Sequence, residues 1–210
     1  RPAATVMLVR DGAPGIEVFL MRRTMSMAFA GGMTVFPGGG VDERDYDLFV
    51  ASGDGDADIA WTGPDRTWWA ERFRVDPVLA GALVCAAARE TFEESGVLLA
   101  RDRTGARCGA ERTVRLQVER AAVAGDATAF VALLEREDLY LDLAPLVYWS
   151  HWITPSLEPK RFDTRFFAIA VPPDQAASAD RSELTEHAWV RPARVHEAIE
   201  RREIRVVPPT

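Results

Sequence analysis

The sequence holds only two cysteines, Cys85 and Cys108, among 210 residues. So few thiols build neither a disulfide framework nor a zinc site, and Cys85 falls in an apolar helical pattern where a thiol serves as a small buried hydrophobe. Positive charge is also in deficit, with 25 Lys and Arg against 32 Asp and Glu and a net charge of −7. A nucleic-acid partner, which requires clustered cations to neutralise phosphates, is therefore not expected. No uninterrupted apolar run reaches the roughly 18 residues of a membrane span, and residues 1–10 lack the charged-then-apolar order of a signal segment. The three histidines, His151, His187 and His196, show no ligand spacing, so hydrogen-bonded structural roles are expected of them. A soluble protein of a reducing compartment, with no membrane partner, is the expectation. Its last residues, Val206 to Thr210, are not a peroxisomal Ser-Lys-Leu signal, and the cytoplasm is the simplest location.

What is present is a hydrophobic fraction of 48%, enough for a core, and one domain over residues 1–210 is expected. Thr5–Val9 and Ile16–Met21, joined by the turn-forming Asp11-Gly12 and Pro14-Gly15, read as a hairpin. Met33–Phe36 is a short strand ending in Pro37-Gly38-Gly39-Gly40, where the backbone is free to approach a ligand closely. Residues 42–76 read as an inserted loop with one short helix, carrying Trp61, Trp68 and Trp69. These tryptophans suit stacking on a base or an acyl chain, but a miniature core of the insertion is the more ordinary role. The acidic run at Asp54, Asp56 and Asp58 departs from a calcium loop at Ile59, where that loop needs glycine.

Asp76 as cap, Pro77 at the first position and Gly96 past the end predict a helix over Pro77–Ser95, with Val78, Gly81, Cys85, Ala88 and Phe92 as its packing stripe. Two further helices, Arg112–Ala124 and Ala127–Glu137 with Asp126 as cap, form a helical excursion over residues 110–140. Strands follow at Leu146–Ile153, Thr164–Val171 and Ala188–Val190, and a helix at Pro192–Arg202 closes the chain.

Glu90, Glu93 and Glu94 stand near the C-terminus of the predicted helix, the end at which the helix dipole disfavours negative charge. Their separations of three and four residues put them on one face. Three oxygen donors so placed suit a hard cation such as Mg2+ or Mn2+, whereas the ordinary alternative is an exposed acidic helix end.

The run Arg89-Glu90-Thr91-Phe92-Glu93-Glu94-Ser95-Gly96-Val97 resembles the second half of the Nudix box, Gly-x5-Glu-x7-Arg-Glu-U-x-Glu-Glu-x-Gly-U with U apolar; Thr91 stands at the first U. Gly39, with five residues between it and Asp45, resembles the first half, with Asp45 where the family carries Glu. Between the halves lie the 43 residues 46–88 where the box has seven. An insertion at this place is itself similar to the Nudix branch of CoA and acyl-CoA diphosphatases. Arg22 and Gly32, ten residues apart and followed by Phe36-Pro37-Gly38-Gly39, fit a pattern of CoA-cleaving members, whose second Arg is Ala28 here. Tyr148-Trp149, Thr154-Pro155, Arg161–Phe167 and Trp189-Val190 also look like this branch.

The resemblance implies an α/β fold, the Nudix α/β/α sandwich with a mixed sheet, and metal-dependent hydrolysis of a phosphoanhydride in a small nucleoside-diphosphate derivative. It implies metal held by Glu90, Glu93, Glu94 and the Gly39 carbonyl, with a homodimer as the frequent assembly. In such a site Arg89 would hold a neighbouring carboxylate at the metal, with Asp45 as a second orienting group. Glu93 is the first choice of general base, with Glu183 and Glu186 as alternatives because members often use a later loop carboxylate. Arg22, Lys160, Arg161 and Arg165 supply candidate counter-charge for substrate phosphate. CoA or acyl-CoA is the leading substrate; ADP-ribose, NADH or a dinucleotide, or a non-catalytic nucleotide sensor, remain alternatives.

Overall fold

The computed structural model describes residues 1–25, 31–49, 61–179, 184–208 and 210. Ala28, the acidic run at 54–58 and Glu183 lie outside the described residues. The chain opens with β1 (Pro2–Gly12) and β2 (Gly15–Arg23), a hairpin paired from Val9↔Val18 to Gly12↔Gly15. Beyond the paired end the strands splay. The short β3 (Thr34–Val35) joins β2 and β4 (Gly38–Gly40) joins β1, so the glycine run, at which the expected strand ends, itself pairs into the sheet.

A 3-10 segment (Glu43–Phe49), β5 (Trp61–Thr62) and α1 (Arg66–Phe73) lead to α2 (Pro77–Ser95). Then come β6 (Ala100–Asp102), α3 (Ala110–Leu116), a 3-10 turn (Gln117–Glu119), α4 (Arg120–Gly125) and α5 (Thr128–Arg136). The chain finishes with β7 (Leu139–Asp142), β8 (Val147–Ile153), β9 (Asp163–Ala170), β10 (Leu184–Val190) and α6 (Pro192–Glu200).

The main sheet runs β10-β2-β1-β9-β8 and is mixed, because β1 and β9 are parallel while the other pairs are antiparallel. Alternation along the strands sorts two faces. Val6, Leu8, Phe19, Met21, Phe167 and Ile169 enter the large core that includes α2. Their neighbours Met7, Val9, Val18, Leu20 and Phe166 join a smaller core with Val195 of α6. Helices thus cover both faces, giving the expected α/β/α layering.

The predicted limits of α2 hold at both ends. Asp76 accepts from the amides of Val78 (3.0 Å) and Leu79 (2.9 Å), and Gly96 takes the left-handed φ of 72°. Its packing differs from the expected stripe. Val78 is 51% exposed, whereas residues 80–92 are buried on every side, because α1 and the 3-10 segment cover the helix opposite β1 and β4. Ala, Gly and Cys dominate residues 80–88 of the helix, since larger side chains there would not let so many neighbours approach.

A second sheet, β5-β7-β6, has no counterpart in the sequence reading, and the expected pair of excursion helices is α3, α4 and α5 with a 3-10 turn between the first two. Nor do the tryptophans form a core of their own. Trp69 is fully buried in the main core, stacked on Phe73 at 5.4 Å and edge-on to Phe167 of β9. No helix among the described residues is long and apolar enough to cross a membrane.

Candidate active site

The site forms where β4 meets the last two turns of α2. Pairing of Gly38–Gly40 with Thr5–Ala3 of β1 brings bare backbone against the helix. A Cβ on Gly39 would lie 2.5 Å from Glu90 Oε1, so a larger residue there would push the Glu90 carboxylate out of its present place. One residue earlier, the Gly38 amide donates to Glu94 Oε2 at 2.7 Å.

Arg89 ties the two halves of the box together. Its Nε and Nη2 donate to the two Asp45 oxygens at 2.8 and 3.0 Å, and Nη2 also reaches the Gly40 carbonyl at 3.1 Å. Nη1 lies 2.9 Å from Glu90 and 3.1 Å from Glu93. Asp45 is buried and accepts the Asp42 amide as well. Such a fork fixes orientation as lysine's point charge would not.

Charge is left over. Around one Arg89 stand Asp45, Glu90, Glu93 and Glu94, all but Glu93 buried. Burial pushes the Glu90 carboxyl up to about 7, with Arg89 opposing the rise and Glu93 adding to it. Glu94 is pushed well above the ordinary carboxylate range by burial and by Glu90, against the Gly38 N–H and the Arg23 charge. Burial likewise raises Asp45 despite Arg89. Burial opposes the Arg89 charge too, but Asp45, Glu90 and Glu93 outweigh it and keep the guanidinium protonated.

A surplus of hard oxygen donors in a poorly solvated place fits a divalent cation. As placed, the carboxylates turn toward Arg89 and Gly38, and no group of three or more ligating side chains converges on one point among the described residues. Glu90, Glu93, Glu94 and the Gly39 carbonyl are the groups available to hold such an ion, by rotation of side chains already in contact.

The helix end has a second clamp that sequence reasoning missed. Arg120, at the start of α4, donates to the carbonyls of Glu93 (2.9 Å) and Glu94 (2.8 Å) and to the Ser178 carbonyl (3.0 Å). A cation on the free carbonyls of a C-terminal turn offsets the repulsion that three carboxylates create there. Gln117 Nε2 donates to the Gly96 carbonyl at 2.9 Å and the Ser178 amide to that of Ser95 at 2.8 Å, which completes the cap.

A polar pocket of about 310 Å3 opens over Arg89, Glu90 and Glu93, and Arg1 and Arg44 line it as well. Neither was among the expected phosphate contacts, although Arg44 adjoins Asp45. Of those expected, none lines this pocket. Arg22 faces Glu186 across β2 and β10 at 3.6 Å, both exposed, and Glu186 lines a different groove. Exposed Arg161 donates to the Thr154 carbonyl at 3.0 Å, and Lys160 lies over the Phe162 ring. Arg165 is only 3% exposed: it donates to the Phe73 carbonyl at 3.1 Å and pairs with Asp163, tying β9 to the end of α1. His151 contacts the same Asp163 at 2.6 Å, and His187 Nδ1 accepts from the Ala179 amide at 3.2 Å.

The family model described as the NUDT19 Nudix domain matches residues 1–210. A human protein described as acyl-coenzyme A diphosphatase NUDT19 is 30% identical, the match covering 94% of this chain and 59% of the human one. A Gallus gallus protein of the same description is 28% identical over 100% of this chain and 65% of its own. The chain thus spans about three fifths of the length of these curated relatives. The crystal structure of a NUDIX hydrolase from Alicyclobacillus acidocaldarius is 29% identical and superposes with a TM-score of 0.80, covering 100% of this chain and 87% of that one. With the split box closed by Arg89 and Asp45 and the model matched from end to end, the chain belongs to the NUDT19 Nudix domain family.

Proposed function

We propose that the chain is a metal-dependent hydrolase cutting the phosphoanhydride of CoA or acyl-CoA to give 4′-phosphopantetheine, or its acyl form, and adenosine 3′,5′-bisphosphate. The observation that carries this reading is the closure of the split box: Arg89, paired with Glu90 and Glu93 on its own helix, reaches Asp45 across the insertion, beside the Gly39 backbone. The names of the relatives supply the substrate class.

A diphosphate carries negative charge that bare carboxylates would repel. A divalent ion, Mg2+ or Mn2+, supplies neutralisation of that charge and a bound water of lowered pKa. Glu90, Glu93, Glu94 and the Gly39 carbonyl would hold it. Arg89 orients Glu90 and Glu93 while Asp45 fixes the guanidinium, and Arg1 and Arg44 add counter-charge at the mouth of the polar pocket. Glu93, the most exposed carboxylate of the set, would take the proton from the attacking water. Glu186, paired with Arg22, is the alternative base. A homodimer in the cytoplasm remains part of this proposal.

The test is product analysis by mass after incubation with CoA, an acyl-CoA, ADP-ribose, NADH and a dinucleoside polyphosphate, with Mg2+, with Mn2+ or with chelator, alongside Glu93→Gln. Metal-dependent release of the two CoA fragments, lost in the variant, is expected. Cleavage of another member only would replace the substrate, and tight nucleotide binding without any turnover would make the chain a sensor module.

A further inference from the structure

A second groove, larger than the polar pocket and different in chemistry, opens on the other side of α4. It encloses about 880 Å3, within the range of small-molecule sites. Its walls are the α3–α4 segment and residues 174–179, with Ala110, Val114, Val118, Ala121, Ala176 and Ala179 as apolar lining. Val114 and Val118, 70% and 79% exposed, place two apolar side chains on one short stretch of its wall. We infer that this groove receives the acyl-pantetheine arm of a CoA thioester whose diphosphate lies over Glu90 and Glu93; the inference rests on the diphosphatase reading above.

Three observations select that occupant. The first is continuity. Arg120 lines the groove and donates to the carbonyls of Glu93 and Glu94, while Val123, less than one helical turn further on, lines the polar pocket. Only the width of α4, about 10–12 Å with side chains, separates the two recesses. An extended pantetheine arm, equivalent to about four residues of extended chain or roughly 14 Å, is long enough to pass from one to the other.

The second is charge. Asp174 and Glu186 are the carboxylates of the lining, and its one arginine, Arg120, is engaged with the backbone of α2 and the 178 carbonyl. That balance repels the 3′-phosphorylated nucleotide end of CoA and accepts its neutral arm. The third is satisfaction of the polar groups beneath. Thr113 donates to the Gly109 carbonyl, Gln117 to that of Gly96, and Gln175 is bonded to both the amide and the carbonyl of Leu98. With those polar groups engaged internally, the groove offers chiefly apolar surface, which rewards an acyl chain and not a sugar or base.

The test compares octanoyl-CoA with CoA in the wild type and in Val114→Asp/Val118→Asp, whose positions are exposed enough for the fold to tolerate the change. The ratio of kcat/KM for octanoyl-CoA over that for CoA is expected to fall about tenfold in the variant. An unchanged ratio would overturn the groove assignment. Calorimetric titration in chelator reads the groove without turnover: tighter binding of octanoyl-CoA than of CoA, lost in the variant, supports it, and equal affinities overturn it. A wild type that hydrolyses neither compound but still binds octanoyl-CoA more tightly would sink the diphosphatase reading and keep the groove.

Discussion

Two guanidinium groups grip the last turns of α2, and they grip different chemistry. Arg89 belongs to the helix and reaches outward to carboxylate side chains, Asp45, Glu90 and Glu93. Arg120 comes from α4 and reaches inward to backbone carbonyls of residues 93 and 94. The first sets where the reactive carboxylates point; the second lets an acidic helix end exist there at all. Catalytic geometry and helix stability are thus carried by separate residues, and each is open to substitution without the other.

Glu93→Gln should have the largest effect. It keeps the size of the side chain and removes its basicity, so kcat should fall on the order of 10³-fold, as for loss of a general base, with little change in melting temperature. Next is Arg89→Lys, which keeps the charge but loses the fork on Asp45. Activity should fall about 10²-fold, with KM moving less than kcat, because misplacement of supporting groups is felt mainly in the reacting geometry.

Gly39→Ala sharpens the same side of the comparison. The new methyl would meet Glu90 Oε1 at 2.5 Å, so turnover should drop clearly while circular dichroism stays native. Arg120→Ala tests the other side. Losing a cation from a partly buried helix C-terminus should cost about 1–2 kcal/mol. In a domain of this size that is a fall of roughly 2–8 °C in Tm, and activity should fall less than in Arg89→Lys.

The smallest effect is expected far from α2. Glu137, just beyond α5, is held at about 2 by Arg115 and Arg112, below its ordinary value of 4.5. Because the folded state depresses this pKa, the pairing stabilises fully above pH 4.5 and the benefit is lost as pH falls through that value toward 2. Glu137→Gln should flatten acid unfolding in that window and leave neutral-pH turnover unaltered.

The same contrast explains what the sequence discloses. Arg89 to Gly96 is contiguous and lies in a helix whose cap and stop are both explicit, so its geometry follows from spacing. Asp45 is legible only through the family pattern, since 43 residues intervene before Arg89. Arg120 carries no local mark: it opens a short helix otherwise made of Ala, Val and Gly, and its meaning arises from the fold that carries it to the end of α2. Arg1 and Arg44 reach the pocket in the same way, one at the start of the sheet and one within the 3-10 segment. Strands β5, β6 and β7 have two to four residues, too few for alternation to register. Arg165 lies in a family-like segment, yet burial turns it into a tie between β9 and α1.

The central claim is that two segments separated by the insertion act as one catalytic unit. A double-mutant cycle on kcat/KM with Arg89→Ala and Asp45→Ala tests it most directly. If the unit is real, the double variant should be scarcely worse than Arg89→Ala alone, with a coupling of about 1–3 kcal/mol, as for residues in one ion-pair network. Effects that simply add would contradict the account and leave the Arg89–Asp45 pair as a structural contact beside the site.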